Sequence, residues 1–132
     1  MFSDPQKNIA ELGIMDGMKV VDLGAGSGFY TIEAAKKVGP RGMVYAVDVQ
    51  QDLLNKIKNS GSLVGLKNIE VVWGNIEKLG GTKLREAIAD RIIISNTLFQ
   101  IAPHDRDNLA LEAKRLLRSG GKMMVIDWTA GS

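Results

Sequence analysis

The sequence contains no cysteine and only one histidine. Without cysteine the chain has no disulfide, no thiolate metal site and no cysteine nucleophile, and a single histidine argues against a zinc site. We therefore expect no bound metal. The first ten residues also lack the apolar stretch of a secretory signal, so we expect a cytoplasmic protein.

Long apolar runs and a strong net charge are absent as well. No apolar run approaches the roughly 20 residues that cross a bilayer, so we expect no membrane span. The formal charge of +2 is too small to indicate nucleic-acid binding. The hydrophobic fraction of 45% is that of an ordinary globular protein. The length predicts one domain over residues 1–132.

Short apolar runs, rich in Val, Ile, Leu and Met, alternate with helical patterns along the chain. The predicted strands are Met18–Leu23, Met43–Val49, Ile69–Trp73, Arg91–Ser95 and Lys122–Asp127. This alternation is typical of an α/β fold with a parallel, doubly wound sheet. The simplest order is 3-2-1-4-5, with a ligand crevice beside the first strand, where the order reverses.

The helical segments are less uniform than the strands. We predict helices over Ser27–Val38, Gln51–Leu63 and Arg106–Arg118, a weaker helix over Thr82–Ala89, and a helical segment within residues 1–15. The helix over Arg106–Arg118 has Asp105 as its predicted N-terminal cap, and Gly120 and Gly121 as its left-handed exit.

A glycine-rich loop, Gly24-Ala25-Gly26-Ser27-Gly28, follows the first strand directly. Glycines permit a tight turn and let a ligand approach the backbone. A dinucleotide fingerprint needs glycine at the first, third and sixth positions, but counting from Gly24 the sixth position is Phe29. The spacing therefore disfavours a nicotinamide oxidoreductase.

Five motifs in order resemble those of class I S-adenosylmethionine-dependent methyltransferases. They are Asp22 to Gly28, Val44 to Asp48, Gly74-Asn75-Ile76, Ser95-Asn96-Thr97 and Leu117 to Lys122. The resemblance implies S-adenosylmethionine as the cofactor, S-adenosylhomocysteine as its product, and a Rossmann-like core. Relatives usually add a helix and an antiparallel strand pair after the fifth strand, and the sequence ends before them.

The resemblance also implies which residues hold the cofactor. They are Asp22, Gly24, Ala25, Gly26, Tyr30, Asp48, Val49, Gly74, Asn75, Ile76 and Asn96. Asp48 ends the second strand, where a carboxylate can accept hydrogen bonds from both ribose hydroxyls and would repel a 2′-phosphate. The alternatives are a surface aspartate at Asp48 and a turn former at Asp22.

Three other assignments leave a structural alternative open. The family more often has an acid at Asn75, although the asparagine oxygen can still accept from the adenine amine. Asn96 would lie beside the methionine part of the cofactor or form an Asx turn. Tyr30 would cover that part or pack in the core.

The predicted reaction is in-line methyl transfer to a small-molecule acceptor, since the chain resembles methyltransferases of small molecules, including the quinone-ring and sterol-like group. His104 and Asp127 are candidate bases, needed only if the acceptor keeps its proton, and a solvated loop residue is the alternative for His104. The catalytic residues are therefore left unassigned. A binding module without turnover, such as a sensor or an inactive partner subunit, is the alternative function.

The fifth predicted strand, Lys122–Asp127, has four apolar residues in succession at an edge of the predicted sheet. Either a second copy of the chain or the N-terminal segment Phe2 to Leu12 is expected to cover it. We expect a homodimer, with a guarded monomer as the alternative.

Overall fold

The computed structural model describes residues 5–95 and 102–126. Within them, helices and strands alternate as the sequence predicts, except that no helix lies between the third and fourth strands. The helices are α1 (Pro5–Leu12), α2 (Phe29–Val38), α3 (Gln51–Leu63) and α4 (Pro103–Leu116); the strands are β1 (Lys19–Leu23), β2 (Met43–Asp48), β3 (Ile69–Trp73), β4 (Ala89–Ser95) and β5 (Leu117–Ile126). In this part of the chain, no helix combines the length and apolar character needed to cross a membrane.

The five strands form one parallel sheet in the order β3-β2-β1-β4-β5, which confirms the predicted fold. Leu23 at the end of β1 pairs with Val47 of β2 on one side and with Ile94 of β4 on the other. The strand order therefore reverses at β1, and the carboxyl ends of β1, β2 and β4 lie next to one another. In doubly wound sheets, ligands bind at this point.

Both faces of the three central strands, β2, β1 and β4, are covered, which explains their nearly continuous apolar sequences. On one face Val21 and Ile92 pack with Leu109 and other residues of α4. On the other face, Val20 and Ile93 pack with residues of α1 and α2. The sheet is thus a rigid support for the loops at its carboxyl edge.

The N-terminal helix α1 packs on the sheet near the edge strand β5. Ile9 and Leu12 are buried in one cluster with Ile126. The guanidinium of Arg91 on β4 donates to the carbonyl of Leu12 at 2.8 Å and to that of Gly13 at 3.3 Å. The N-terminal segment therefore covers one face of the edge strand β5, which is one of the two arrangements that the sequence predicts.

Three predicted helix ends are wrong. Helix α2 begins at Phe29 rather than Ser27, because Gly28 is left-handed with φ of 86°. Helix α4 begins at Pro103, with Ala102 as its N-cap, so Asp105 lies in the first turn instead of capping it. At the other end α4 stops at Leu116, and the left-handed Gly120 lies within β5 rather than at the helix exit.

The predicted helix over Thr82–Ala89 is wrong: the segment forms turns. Lys83 and Ala87 have φ of 62° and 56°, which a right-handed helix excludes. Buried Glu112 of α4 accepts hydrogen bonds from the backbone of Gly80 and Thr82, and Arg115 donates to the carbonyl of Leu84 at 2.7 Å. A helix over this segment would pair the Leu84 carbonyl internally, whereas here that carbonyl is bound by Arg115 of α4.

Candidate functional site

The glycine loop between β1 and α2 is bound to the end of β2. The N–H groups of Gly24 and Ala25 both donate to the carbonyl of Val47, at 2.9 and 3.1 Å. Gly24, Gly26 and Gly28 all have positive φ, between 56° and 86°. The loop therefore turns sharply over the carboxyl end of the sheet, in a conformation that other residues adopt at a cost.

Gly26 and Gly28 serve different purposes. A Cβ at Gly28 would lie 2.5 Å from Cγ1 of Ile57 on α3, so this glycine permits close packing of two helices. Within the part of the chain that the structure describes, a Cβ at Gly26 would meet only the carbonyl of Gly24, at 3.9 Å. Gly26 therefore leaves open space at the loop, where a ligand can approach the backbone.

We predict that Gly28→Ala lowers the free energy of unfolding by about 2 kcal/mol or more, from left-handed strain and the clash with Ile57. Gly65→Ala is the matched control, since Gly65 has φ of 77° but nothing within 4 Å of the added Cβ. It should lose only about 1–2 kcal/mol of strain. Urea unfolding followed by circular dichroism measures both, and equal losses would show that the Ile57 contact is unimportant.

Asp48 lies beside this open space, at the end of β2. Its Oδ2 accepts from the N–H of Gly26 at 3.2 Å, and its Oδ1 accepts from the N–H of Gln50 at 2.9 Å. An ionised carboxylate has about four acceptor positions, so both oxygens can accept further hydrogen bonds. The structure thus brings together the two strongest predicted site features, the glycine loop and Asp48.

Asp22 is fully buried under the loop. Thr31 donates from its hydroxyl to Oδ2 at 2.7 Å, while Oδ1 has no hydrogen-bond partner among the described residues. Burial raises the pKa of Asp22 from 3.8 to about 7; the Thr31 bond opposes this rise and the charge of Asp48 adds to it. Asp22 therefore retains one free acceptor atom.

The raised pKa of Asp22 predicts a pH-dependent stability. The folded protein binds this proton more tightly than the unfolded chain does. The contribution of Asp22 to the free energy of unfolding is therefore complete below pH 3.8 and is lost as pH rises through about 7. Asp22→Asn removes the titration while keeping an acceptor for Thr31. We expect it to match the parent near pH 4 and to be more stable than the parent at pH 8, by up to about 4 kcal/mol at about 1.4 kcal/mol per pKa unit.

Thermal unfolding of the parent and Asp22→Asn across this pH range checks the prediction. Asp16→Asn, on an exposed turn, is the control and should follow the parent. Parallel curves of melting temperature against pH for the parent and Asp22→Asn would contradict the predicted titration of Asp22.

The third motif follows β3 beside Asp48. The N–H of Gly74 donates to the Asp48 carbonyl at 3.1 Å. The side-chain oxygen of Asn75 accepts from the N–H of Glu77 at 2.8 Å, so part of its acceptor capacity is used within its own turn. Ile76 is 8% exposed and packs in the core, whereas Val49 is half exposed. Their contact with adenine stays a prediction.

The remaining predicted residues divide into three groups. Tyr30 is buried against α1, with its hydroxyl accepting from Asn8 at 3.2 Å, which favours core packing. The side chain of His104 is 82% exposed at the start of α4. Asn96 and Asp127 lie outside the described residues.

Two features near the site were not predicted from the sequence. Trp73, the last residue of β3, donates from Nε1 to the carbonyl of Val49 at 2.9 Å. Glu112 and Arg115 of α4 organise the turn that follows the third motif. The aromatic residue at a strand's carboxyl end was a usable signal for Trp73. The sequence held no such signal for Glu112, because the pattern of a helix does not show which of its residues bind a distant part of the chain.

Comparisons with known proteins agree with this geometry. Residues 14–130 match the methyltransferase-domain family. The chain is 34% identical to an arsenite methyltransferase of Aquipseudomonas alcaligenes, over 86% of this chain and 34% of that protein. It is 31% identical to the ubiquinone/menaquinone biosynthesis C-methyltransferase UbiE of Pasteurella multocida, over 89% of this chain and 42% of that protein.

A solved structure extends the likeness to the fold. The SAM-dependent methyltransferase of Aquifex aeolicus is 33% identical, with a TM-score of 0.82 over 96% of this chain and 64% of that one. The chain spans less than half the length of the arsenite methyltransferase and of the C-methyltransferase named above. The family match, the sheet order and the loop geometry together show that the chain belongs to the class I S-adenosylmethionine-dependent methyltransferase family.

Proposed function

We propose that the protein transfers the methyl group of S-adenosylmethionine to a small-molecule acceptor. The observation that carries this proposal is the Asp48 carboxylate, bonded to Gly26 beside the open space of the glycine loop. The names of the two curated relatives, which mention arsenite and ubiquinone/menaquinone, support a small acceptor.

The residues present fit this cofactor. Gly26 lets a ligand approach the loop backbone, because among the described residues the nearest neighbour of an added Cβ is the Gly24 carbonyl at 3.9 Å. Asp48 would accept from the ribose hydroxyls, and its charge would disfavour a 2′-phosphate. The half-exposed Val49 and the turn from Gly74 to Ile76 would border the adenine. Asp22, below the loop, would face the methionine part.

Methyl transfer from this cofactor requires little from the protein beyond the correct orientation of cofactor and acceptor. When bound, the cofactor would supply a methyl group on a sulfonium, a good leaving group, so that the acceptor would gain a bond to the methyl carbon as the bond from carbon to sulfur is lost. The protein holds the cofactor on a rigid sheet edge, aligns the acceptor and excludes water. Where the acceptor keeps its proton, His104 or Asp127 would accept it.

A turnover assay tests the proposal against a binding module without turnover. The chain is incubated with S-adenosylmethionine carrying a labelled methyl group and a panel of small acceptors, including quinones and arsenite. Label in an acceptor, dependent on Asp48, supports the proposal. Tight binding of the cofactor without label transfer to any acceptor would favour the binding module.

A homodimer in the cytoplasm belongs to the same proposal. Met123 and Val125 on the edge strand β5 remain 42% and 48% exposed, although α1 covers the other face of that edge. A second copy that packs there would remove this apolar surface from water. Light scattering coupled to gel filtration over a hundredfold concentration range tests this, and a constant mass near 14.3 kDa would refute it.

A further inference from the structure

Trp73 contacts the turn that carries two of the proposed cofactor residues. It pairs directly with Asp48 across the sheet, at the carboxyl end of both strands. Its side chain is 53% exposed, yet the indole N–H is bonded to the Val49 carbonyl at 2.9 Å. An exposed tryptophan thus holds the backbone of Val49, one residue beyond the carboxylate proposed to bind ribose.

Lys83 covers the ring of Trp73 from a strained backbone position. Its ammonium lies 5.3 Å from the ring centroid, within the range of a cation–π interaction. Its φ of 62° is uncommon for a residue with a Cβ. Such strain persists only where the surroundings impose it, and here the preceding Thr82 is bound to Glu112 through both its N–H and its hydroxyl.

Through Trp73, these contacts connect two turns. One follows the third motif and carries Lys83, and the other follows the second motif and carries Val49. The Asp48 carbonyl accepts from Gly74, and the Val49 carbonyl accepts from Trp73. Both peptide groups that follow the carboxylate are therefore held, one by Gly74 just after β3 and one by Trp73 at its end. Lys83 restrains the side chain that makes the second contact. The backbone that carries the half-exposed Val49 side chain is restrained in consequence.

We propose that Trp73 and Lys83 are positioning residues for the adenosine end of the cofactor, acting through Val49. This inference rests on the proposed function, because it assumes that the adenosine binds beside Asp48 and Val49. Neither residue need touch the ligand: Trp73 sets the Val49 backbone, and Lys83 sets the indole.

Calorimetric titration with S-adenosylhomocysteine and with adenosine alone tests the proposal. Trp73→Phe keeps an aromatic ring but removes the N–H, and should weaken both ligands by about fivefold. Lys83→Met removes the charge while keeping the length, and should weaken both by about threefold. Lys83→Arg keeps a cation over the ring and should restore parental affinity. Lys58→Met, on the exposed side of α3, is the control.

The outcomes separate this inference from the proposed function. If the parent binds neither ligand, the proposed function fails. If the parent binds but Trp73→Phe and Lys83→Met bind equally well, the positioning role is wrong and the proposed function stands. If Lys83→Arg fails to restore affinity, the cation over the ring is not what matters. A lower melting temperature with unchanged affinity would assign both residues a purely structural role.

Discussion

Asp48→Ala is expected to weaken binding of S-adenosylhomocysteine by tenfold or more. The parent carboxylate would accept hydrogen bonds from the ribose hydroxyls, and a hydrogen bond to a charged group contributes about 1.5–3 kcal/mol. The structure adds a second cause. Asp48 also holds the N–H of Gly26, so its loss releases the loop at the point where the ligand approaches. Isothermal titration calorimetry measures the affinity.

Two variants show what the charge itself contributes. Asp48→Asn keeps the shape and one acceptor oxygen, and should fall between the parent and Asp48→Ala. Asp52→Ala removes a nearby exposed carboxylate in the first turn of α3, and should bind as the parent does. Circular dichroism confirms that each variant is folded. Parental affinity in folded Asp48→Ala would show that the ribose assignment is wrong.

Glu112→Ala is expected to lower the free energy of unfolding by about 3–5 kcal/mol, the cost of removing one partner of a buried ion pair. The Glu112 side chain is fully buried. It accepts from Arg115 at 2.7 and 2.8 Å, from the Thr82 hydroxyl at 2.6 Å and from the N–H of Gly80 at 2.7 Å. The substitution leaves all these donors without their acceptor.

The same residue predicts how the parent responds to acid. Burial alone would raise the pKa of Glu112, but the hydrogen bonds from Arg115, Thr82 and Gly80 outweigh it and lower the pKa from 4.5 to about 2. This contribution is therefore present above pH 4.5 and is lost as pH falls towards 2. Urea unfolding from pH 7 to pH 3 should show a smaller loss in Glu112→Ala than in the parent. Exposed Glu11→Ala is the control, and a Glu112→Ala protein as stable as the parent would contradict the prediction.

The sheet was predictable because burial dictates its sequence. Strands covered on both faces need nearly uninterrupted apolar residues, as in β1, where Val20, Val21 and Leu23 are fully buried. The less buried edge strand Ile69–Trp73 is also found with its predicted bounds. Helix α3, Gln51–Leu63, also has its predicted bounds. Local rules failed where a distant residue decides the conformation. The segment after the third motif forms turns because α4, about 30 residues later in the chain, binds its backbone through Glu112 and Arg115.

The candidate site was predictable to a similar extent. The spacing of glycines placed the loop, and the end of β2 placed Asp48, because parallel strands bring their carboxyl ends to one edge. Sequence alone could not separate the uses of Gly26 and Gly28, since the close neighbour of Gly28 is Ile57 on another helix. It could not show that Tyr30 faces α1 either, because both alternatives for Tyr30 require a buried aromatic ring.

The central claim is that the glycine loop and Asp48 form a cofactor site, and direct calorimetric titration of the parent chain tests it most simply. S-adenosylmethionine and S-adenosylhomocysteine are titrated in parallel with NADH, with folding confirmed by circular dichroism. The account predicts saturable heat with both adenosyl ligands and none with NADH. A folded protein that gives no heat with either adenosyl ligand at millimolar concentration would contradict it.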